Sequence, residues 1–319
     1  MNCNCLISIV LPTYNGGGAY LDQAVGGCLA QAGVDLELII VDDASTDDTP
    51  RRVGEYATAD TRVVLARHEV NRGLPAALNT GFALARGAYL TWTSDDNCYR
   101  PGALAEMAAF LACRPDVGFV YSDYSVIDEA GRLVRHVAVE PPEALASGNV
   151  IGPSFVYRRA VMDMLGGYRE EMSLAEDYDF WLRASASFRL APLHRDLYLY
   201  RSHGRSLTGL RGERVLLATE EALSRNLPRM GWMGDEALAG ACLQLAKMAL
   251  RRKDAAAAGR YVRDAMRHSA GFVARHLSGL LAEFVLGHRR AERLTSLKRR
   301  LRRSRSRAAV NAATVQTGD

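Results

Sequence analysis

The stretch Gly87-Ala88-Tyr89-Leu90-Thr91-Trp92-Thr93-Ser94-Asp95-Asp96-Asn97 decides the fold. Its first part is aromatic, β-branched and uncharged, which predicts a strand over Ala88 to Thr93 buried on both faces, as inside a parallel sheet. Polarity then reverses within one residue, and two adjacent carboxylates fall where the strand ends. In open α/β sheets ligands bind beyond the carboxyl ends of the strands, so Asp95 and Asp96 are candidate ligand groups. Consecutive residues of an extended chain point to opposite sides, so the two acids are expected to grip different atoms, one a metal ion and the other a sugar hydroxyl. The competing reading has Ser94 or Asp95 capping the next helix.

The same alternation recurs on both sides of this stretch. Leu6 to Leu11 reads as a first strand, followed by Pro12-Thr13-Tyr14-Asn15, three glycines and an amphipathic helix from Tyr20 to Ala32. Leu36 to Val41 is a second strand ending in Asp42-Asp43, with cap residues Ser45-Thr46-Asp47 and Pro50 in the first turn of the next helix. Strands over Val63 to Ala66 and Val117 to Tyr121, and helices over Pro75 to Ala85 and Pro101 to Cys113, complete the pattern. Such alternation predicts an α/β, Rossmann-like, doubly wound and mostly parallel sheet. After Asp123 a small antiparallel element is expected, Tyr124 to Asp128 and Leu133 to Val139 around Glu129-Ala130-Gly131. A short helix starts near Ala175, a last strand covers Asp196 to Arg201, and Leu210 to Leu286 reads as a helical appendage.

Composition excludes several classes. The chain has 319 residues, 48% hydrophobic and 24% charged, enough to bury a full core. Met1 to Cys5 carries no basic residue and the run Leu6 to Leu11 is too short for a signal or membrane segment, so a cytoplasmic location is expected. The six cysteines show no zinc-site spacing and suit a reducing compartment. Cys98, beside the acidic pair, reads as a small packed thiol. Only three lysines occur, Lys247, Lys253 and Lys298, which removes a P-loop or Schiff-base lysine from the first three-quarters of the chain. Gly16, Gly17 and Gly18 fail the G-x-G-x-x-G pattern because Leu21 stands where the last glycine belongs.

Four polar clusters therefore stand at strand ends: Pro12-Thr13-Tyr14-Asn15, Asp42-Asp43, Asn71-Arg72-Gly73 and Asp95-Asp96. In a doubly wound sheet those ends share one crevice, which offers a tyrosine for stacking and carboxylates for a base, a ribose and a divalent cation. This describes a nucleoside diphosphate site without a P-loop, in which Mg²⁺ or Mn²⁺ would bridge to phosphate oxygens in place of a lysine.

Val10-Leu11-Pro12-Thr13-Tyr14-Asn15, Ile40-Val41-Asp42-Asp43-Ala44-Ser45, Ser94-Asp95-Asp96-Asn97, Glu176-Asp177-Tyr178-Asp179-Phe180-Trp181-Leu182-Arg183 and Tyr200-Arg201-Ser202-His203 together resemble the ordered motifs of family 2 glycosyltransferases with the GT-A fold. The resemblance covers roughly Leu6 to Thr208 and implies inverting transfer of a sugar from a nucleotide-sugar donor, by default UDP-linked, to an acceptor hydroxyl. It further implies that Pro12, Thr13, Tyr14, Asn15, Asp43 and Arg72 line the nucleotide, Asp95 the ribose, Asp96 and His203 a Mn²⁺ or Mg²⁺ ion, and that Asp177 is the catalytic base. Glu176 and Asp179 remain alternatives for the base, a structural role remains open for His203, and Arg201 and Arg205 are either diphosphate contacts or solvated. Two departures stand out: Asp-Asp-Asn replaces Asp-x-Asp, and Ala76-Ala77-Leu78-Asn79 carries leucine where the family often has arginine. Rival readings are a sugar nucleotidyltransferase, a non-catalytic nucleotide- or glycan-binding relative, and a receiver-like domain; the lysine-free fold speaks against the first and third.

The expected organisation is a transferase domain over 1–208, with a nucleotide half to about 122 and an acceptor half from 123, then a helical region over 209–287 and a basic tail over 288–319. From Arg289 to Arg307 ten basic residues face one acid, a local net of +9 that leaves −5 for the rest of a +4 chain. Leu294, Leu297 and Leu301 recur there at helical spacing, so 289–307 is expected to rest as a basic amphipathic helix on an anionic inner membrane surface, near a glycan or lipid-linked acceptor. The last residues, from Ala308, are expected to be disordered, and no nucleic acid partner is expected.

Overall fold

A nine-stranded sheet organises the chain in a computed structural model that describes residues 6–204 and 212–286. Strands β1 (Ile7–Thr13) and β2 (Leu36–Asp42) are buried at every position, which is why both read as nearly unbroken apolar runs. They hold two acids: Glu37 is neutralised by Arg86 at 2.9 Å and accepts from the Ser8 hydroxyl at 2.6 Å, and Asp42, at the end of β2, pairs with Arg67 at 3.0 Å. Helices α1 (Ala19–Leu29) and α2 (Thr49–Ala59) precede and follow β2, then β3 (Val63–Arg67), α3 (Leu74–Leu84) and β4 (Tyr89–Trp92). A two-residue strand β5 (Cys98–Tyr99), α4 (Ala103–Ala112), β6 (Val117–Ile127), β7 (Leu133–Val137), β8 (Phe155–Arg158), α5 (Arg159–Leu165), α6 (Glu176–Ser185) and β9 (Arg189–Arg201) follow.

The strand order is β3-β2-β1-β4-β8-β6-β9-β5, with β7 paired to β6. Strands β1 to β4 run parallel, and β6 and β9 run with them, while β5, β7 and β8 run against them. After β3 the chain returns to the far side of β1 to lay down β4, so the order reverses between β1 and β4. That reversal is where a doubly wound sheet opens a crevice.

Two strands differ from the sequence reading. It ends one strand at Tyr121 and starts another at Tyr124, whereas β6 runs unbroken for 11 residues. The polar pair that suggested a break is satisfied inside: Ser122 shares a hydrogen bond with Ser154 at 2.6 Å and Asp123 accepts the Val139 amide at 2.8 Å. Likewise β9 begins at Arg189, seven residues before the expected Asp196, and slips register against β6 around Asp123.

Below α6 the core is aromatic. Trp181 is fully buried, with ring centres 4.6 Å from Phe155 and 4.9 Å from Phe119, and each such pair adds about 0.5–1.5 kcal/mol beyond its buried area. Helix α7 (Gly212–Asn226) packs on α6, where Asn226 donates to Asp179 at 2.8 Å. Contacts divide the chain into two compact units, one ending at Trp232 and the other starting at Met233. The second contains α8 (Asp235–Arg251) and α9 (Ala255–Leu286), which pack through Ala249, Ala257 and Ala258; α9 is interrupted at Ser269. Among the described residues no helix is long and apolar enough to cross a membrane. The basic stretch 289–307, the end from Ala308, and Arg205 lie outside the described residues.

Candidate active site

The polar clusters at the ends of β1, β2 and β4 share one rim, because these strands are parallel. At the β1/β4 reversal the Thr13 hydroxyl donates to Asp95 Oδ2 at 2.5 Å, tying residues 82 positions apart. Gly16 keeps the space above them open: a Cβ there would overlap Asp95 Oδ2 and Thr13 Oγ1. Burial pushes the Asp95 carboxyl up to about 6 against the lowering effect of the Thr13 bond, and the Asp96 charge adds to the rise. Asp95 is not a helix cap. The helix that follows, α4, starts at Ala103 with Gly102 at its cap.

Asp96 points elsewhere, from a turn and not from the extended chain that the sequence suggested: β4 ends at Trp92, and the Asn97 amide donates back to the Ser94 carbonyl at 3.4 Å. Its Oδ2 lies 2.8 Å from His203 Nε2, and its Oδ1 is buried with no hydrogen-bond partner among the described residues. A buried carboxylate oxygen left unpaired costs about 1–3 kcal/mol or more unless something binds it. Among the described residues no group of three or more His, Cys, Asp or Glu is arranged to hold a metal. Asp96 and His203 therefore offer two ligands, an oxygen and an imidazole nitrogen, which fits a divalent ion that takes its remaining ligands from phosphate oxygens and water.

Three carboxylates crowd the start of α6, and the structure separates them. Asp179 is fully buried between Arg169 at 3.0 Å and Arg183 at 2.8 Å and also accepts from Asn226, so it is an internal ion-pair centre. Glu176 is buried and turns back to accept the Leu174 amide at 2.7 Å; Leu174 sits at φ 80°, a strained left-handed position for a branched residue. Burial, and then the neighbouring Asp177 charge, push Glu176 up to about 7. Asp177 accepts from Asn149 Nδ2 at 2.7 Å and from the Tyr178 amide at 2.6 Å. Burial raises its carboxyl too, while those two donors favour the ionised form. The Tyr168 hydroxyl accepts from Trp92 Nε1 at 2.9 Å at the end of β4, and its ring stacks on Phe180 of α6 with centres 4.4 Å apart, which ties α6 to that end of β4.

The remaining predicted contacts are distributed as follows. Tyr14 is 51% exposed, a free ring at the end of β1. Asn15, at φ 54°, accepts from the Thr46 amide and donates its own amide to Ser45, clasping the first loop to the second. Asp43 accepts from His68 Nδ1 at 2.6 Å and from the amides of Arg72 and Gly73 at 2.9 and 2.7 Å. A carboxylate has about four acceptor sites, so Oδ2 has room for one more donor. The Arg72 side chain reaches toward Glu170 at 3.4 Å and stays half-exposed. Leu78, where the family often has arginine, is fully buried core, and Asn79 holds Tyr168 through both backbone groups.

Arg201 is neither a diphosphate contact nor a solvated residue: it is 3% exposed and spends its donors on protein acceptors, among them the Asp96 carbonyl at 3.1 Å. Sequence reasoning also passed over His68, Asn149 and Tyr168. His68 was within reach, because it follows the end of β3 and so belongs to the same rim as the other strand ends. Asn149 carried no such signal, lying in an irregular segment with no periodicity.

Residues 8–165 match the family described as "Glycosyl transferase family 2". An uncharacterized glycosyltransferase of Rickettsia conorii is 29% identical over 204 residues, covering 60% of this chain and 32% of that protein. The chain spans between 18% and 34% of the length of the first curated relatives it matches. In three dimensions it is similar to S. aureus TarS 1–349 in complex with UDP-GlcNAc, with a TM-score of 0.67, 17% identity and 92% of both chains covered. It is likewise similar to the mannosyltransferase PcManGT from Pyrobaculum calidifontis in complex with GDP-Man and Mn²⁺, with a TM-score of 0.61, 18% identity, and 92% and 84% covered. The sheet order and the helices around it are those of the GT-A fold.

Proposed function

We propose, from the premise that this chain belongs to glycosyl transferase family 2 through residues 8–165, that it is a metal-assisted inverting transferase acting on a UDP-linked sugar. The observation that carries this reading is the buried Oδ1 of Asp96, without a partner among the described residues, beside His203 at the rim of the parallel strands. Asp96 and His203 would hold Mn²⁺ or Mg²⁺, which when bound stabilises the charge growing on the leaving diphosphate. Tyr14 stacks on the base, Asp43 accepts its ring N–H, and Asp95 accepts from the ribose. Pro12, Thr13, Asn15 and Arg72 shape the surrounding loops.

Asp177 is the base. Its carboxylate takes the acceptor hydroxyl proton while the oxygen attacks the sugar carbon opposite the leaving nucleotide, which inverts that centre. Its place in the first turn of α6 favours the ionised form it needs. The acceptor is a sugar hydroxyl of a polysaccharide or glycoconjugate, and the basic stretch 289–307 brings the enzyme to lipid-linked acceptors at an anionic cytoplasmic face. Retention by anionic vesicles at low salt, lost when that stretch is removed, checks the last point; no retention at any salt overturns it.

Binding of UDP, GDP and dTDP with and without Mn²⁺, followed by turnover of the matching sugar donors, tests the donor. Asp177→Asn is expected to lose about 10²–10⁴-fold in transfer rate, the range of general-base catalysis, with UDP affinity kept. Turnover equal to the parent protein's would remove Asp177 as the base.

A further inference from the structure

Arg201 ends β9 two residues before His203, and among the described residues its side chain meets only neutral groups. Its backbone amide donates to the Asn97 side chain at Oδ1, at 2.7 Å, and its Nε to the Asp96 carbonyl at 3.1 Å, so it holds the Asp96–Asn97 peptide and the side chain that follows it. Nη1 donates to the carbonyls of Asp128 and Glu129 at 3.1 and 3.2 Å, in the turn between β6 and β7. Nη2 donates to Gln23 Oε1 of α1 at 2.7 Å. The guanidinium lies 4.3 Å from the ring centre of Tyr20, whose hydroxyl donates to the same Glu129 carbonyl at 3.2 Å. Tyr20 in turn lies 5.8 Å from the His203 ring, and the Gly204 amide approaches Glu129 Oε1 at 3.4 Å. Three segments that share no sequence proximity, α1, the 95–97 loop and the 128–129 turn, thus meet on one cation.

Burying a guanidinium is costly unless its donors are satisfied, and a planar fork with five N–H groups satisfies them only in one orientation. The conformation of the 95–97 loop is thereby set from beneath, at the point where Asp96 must face His203. We propose that Arg201 is a positioning residue for the divalent cation: it holds Asp96 and His203 at ligating separation and links that pair to the β6–β7 turn and to α1. The inference rests on the reading of Asp96 and His203 as ligands. It adds that affinity for the cation is governed by a side chain that never touches it, as outer-shell partners of metal ligands commonly do.

Arg201→Lys keeps the charge and loses the fork, and Gln23→Ala removes one acceptor at an exposed site of α1 where folding is not at risk. Mn²⁺ affinity is measured by electron paramagnetic resonance of free Mn²⁺ in the presence of saturating UDP, beside UDP affinity in EDTA and the thermal unfolding transition. Asp96→Asn serves as the ligand control. We expect Mn²⁺ to bind about tenfold or more weakly to Arg201→Lys and a fewfold more weakly to Gln23→Ala, with metal-free UDP affinity within twofold of the parent protein. Unchanged Mn²⁺ affinity in Gln23→Ala and in a folded Arg201→Lys, with Asp96→Asn impaired, overturns the role of Arg201 alone. Unchanged affinity in Asp96→Asn overturns the ligand assignment itself. Loss of metal-free UDP binding in step with Mn²⁺ binding would show a general structural role and also overturn the proposal.

Discussion

Glu176 and Asp177 are adjacent in the chain and differ in what surrounds them. Glu176 holds its own backbone at Leu174, while Asp177 is held from outside by Asn149. Asn149→Ala should remove a donor that favours the ionised Asp177, moving the acid limb of the kcat/KM profile to higher pH and lowering the rate at pH 6 by about tenfold, the size of one hydrogen bond to a charged group. An acid limb that stays in place would show that Asn149 does not act on the base. Glu176 gives a stability signature with the opposite sense to a salt-bridged acid. Between its ordinary value of 4.5 and about 7 the folded protein keeps a proton that the unfolded chain releases, so stability falls as pH rises through that window. Glu176→Gln should therefore gain on the parent protein by several degrees in melting temperature between pH 5 and pH 8, at about 2–4 °C per kcal/mol. A difference independent of pH would contradict the buried, proton-holding state.

At the scale of elements, the site depends on how α3 and the loops after β1 and β4 seat against the sheet. Gly81 of α3 lies so close to β1 that a Cβ would run into the Val10 side chain. Gly81→Ala should cost about 1–3 kcal/mol, the usual penalty of overpacking, read as a lower urea midpoint with an unchanged slope. Gly16→Ala acts on the site as well: the added methyl would overlap Asp95 Oδ2 and Thr13 Oγ1, so their hydrogen bond must give way, and UDP binding should fall together with the melting temperature. The continuous β6 teaches a related lesson about elements. Ser122 and Asp123 look like a break because polar residues usually end buried strands, and only the Ser154 and Val139 partners, from elsewhere in the chain, make them tolerable inside.

For the molecule as a whole, every residue assigned to donor or base lies in the unit ending at Trp232. Ligands at about one hundred times their dissociation constant stabilise a folded unit by about 2.7 kcal/mol. UDP with Mn²⁺ should then raise the unfolding temperature of that unit by about 5–10 °C, and EDTA should remove most of the gain. The Asp96→Asn variant should show the UDP increment without the Mn²⁺ increment. An equal response to Mn²⁺ in parent and variant would place the ion elsewhere.

By itself the sequence determined the alternation of strands and helices and which strand ends carry polar clusters. Both follow locally: a strand covered on two faces is apolar along most of its length, and the flip to Asp95-Asp96 or Asp42-Asp43 falls where the apolar run ends. The family motifs added an ordered set of candidate residues. Which of Glu176, Asp177 and Asp179 is free to meet a substrate was beyond local reading, because spacing along a helix says nothing about Arg169, Asn149 or Asn226 arriving from other segments. The same holds for Arg201, whose composition-level reading as a solvated or phosphate-binding cation fails because its acceptors lie up to 178 positions away. Tertiary structure alone decided how these side chains are partnered, since the free energy of a buried charge is set by the groups that the fold brings to it.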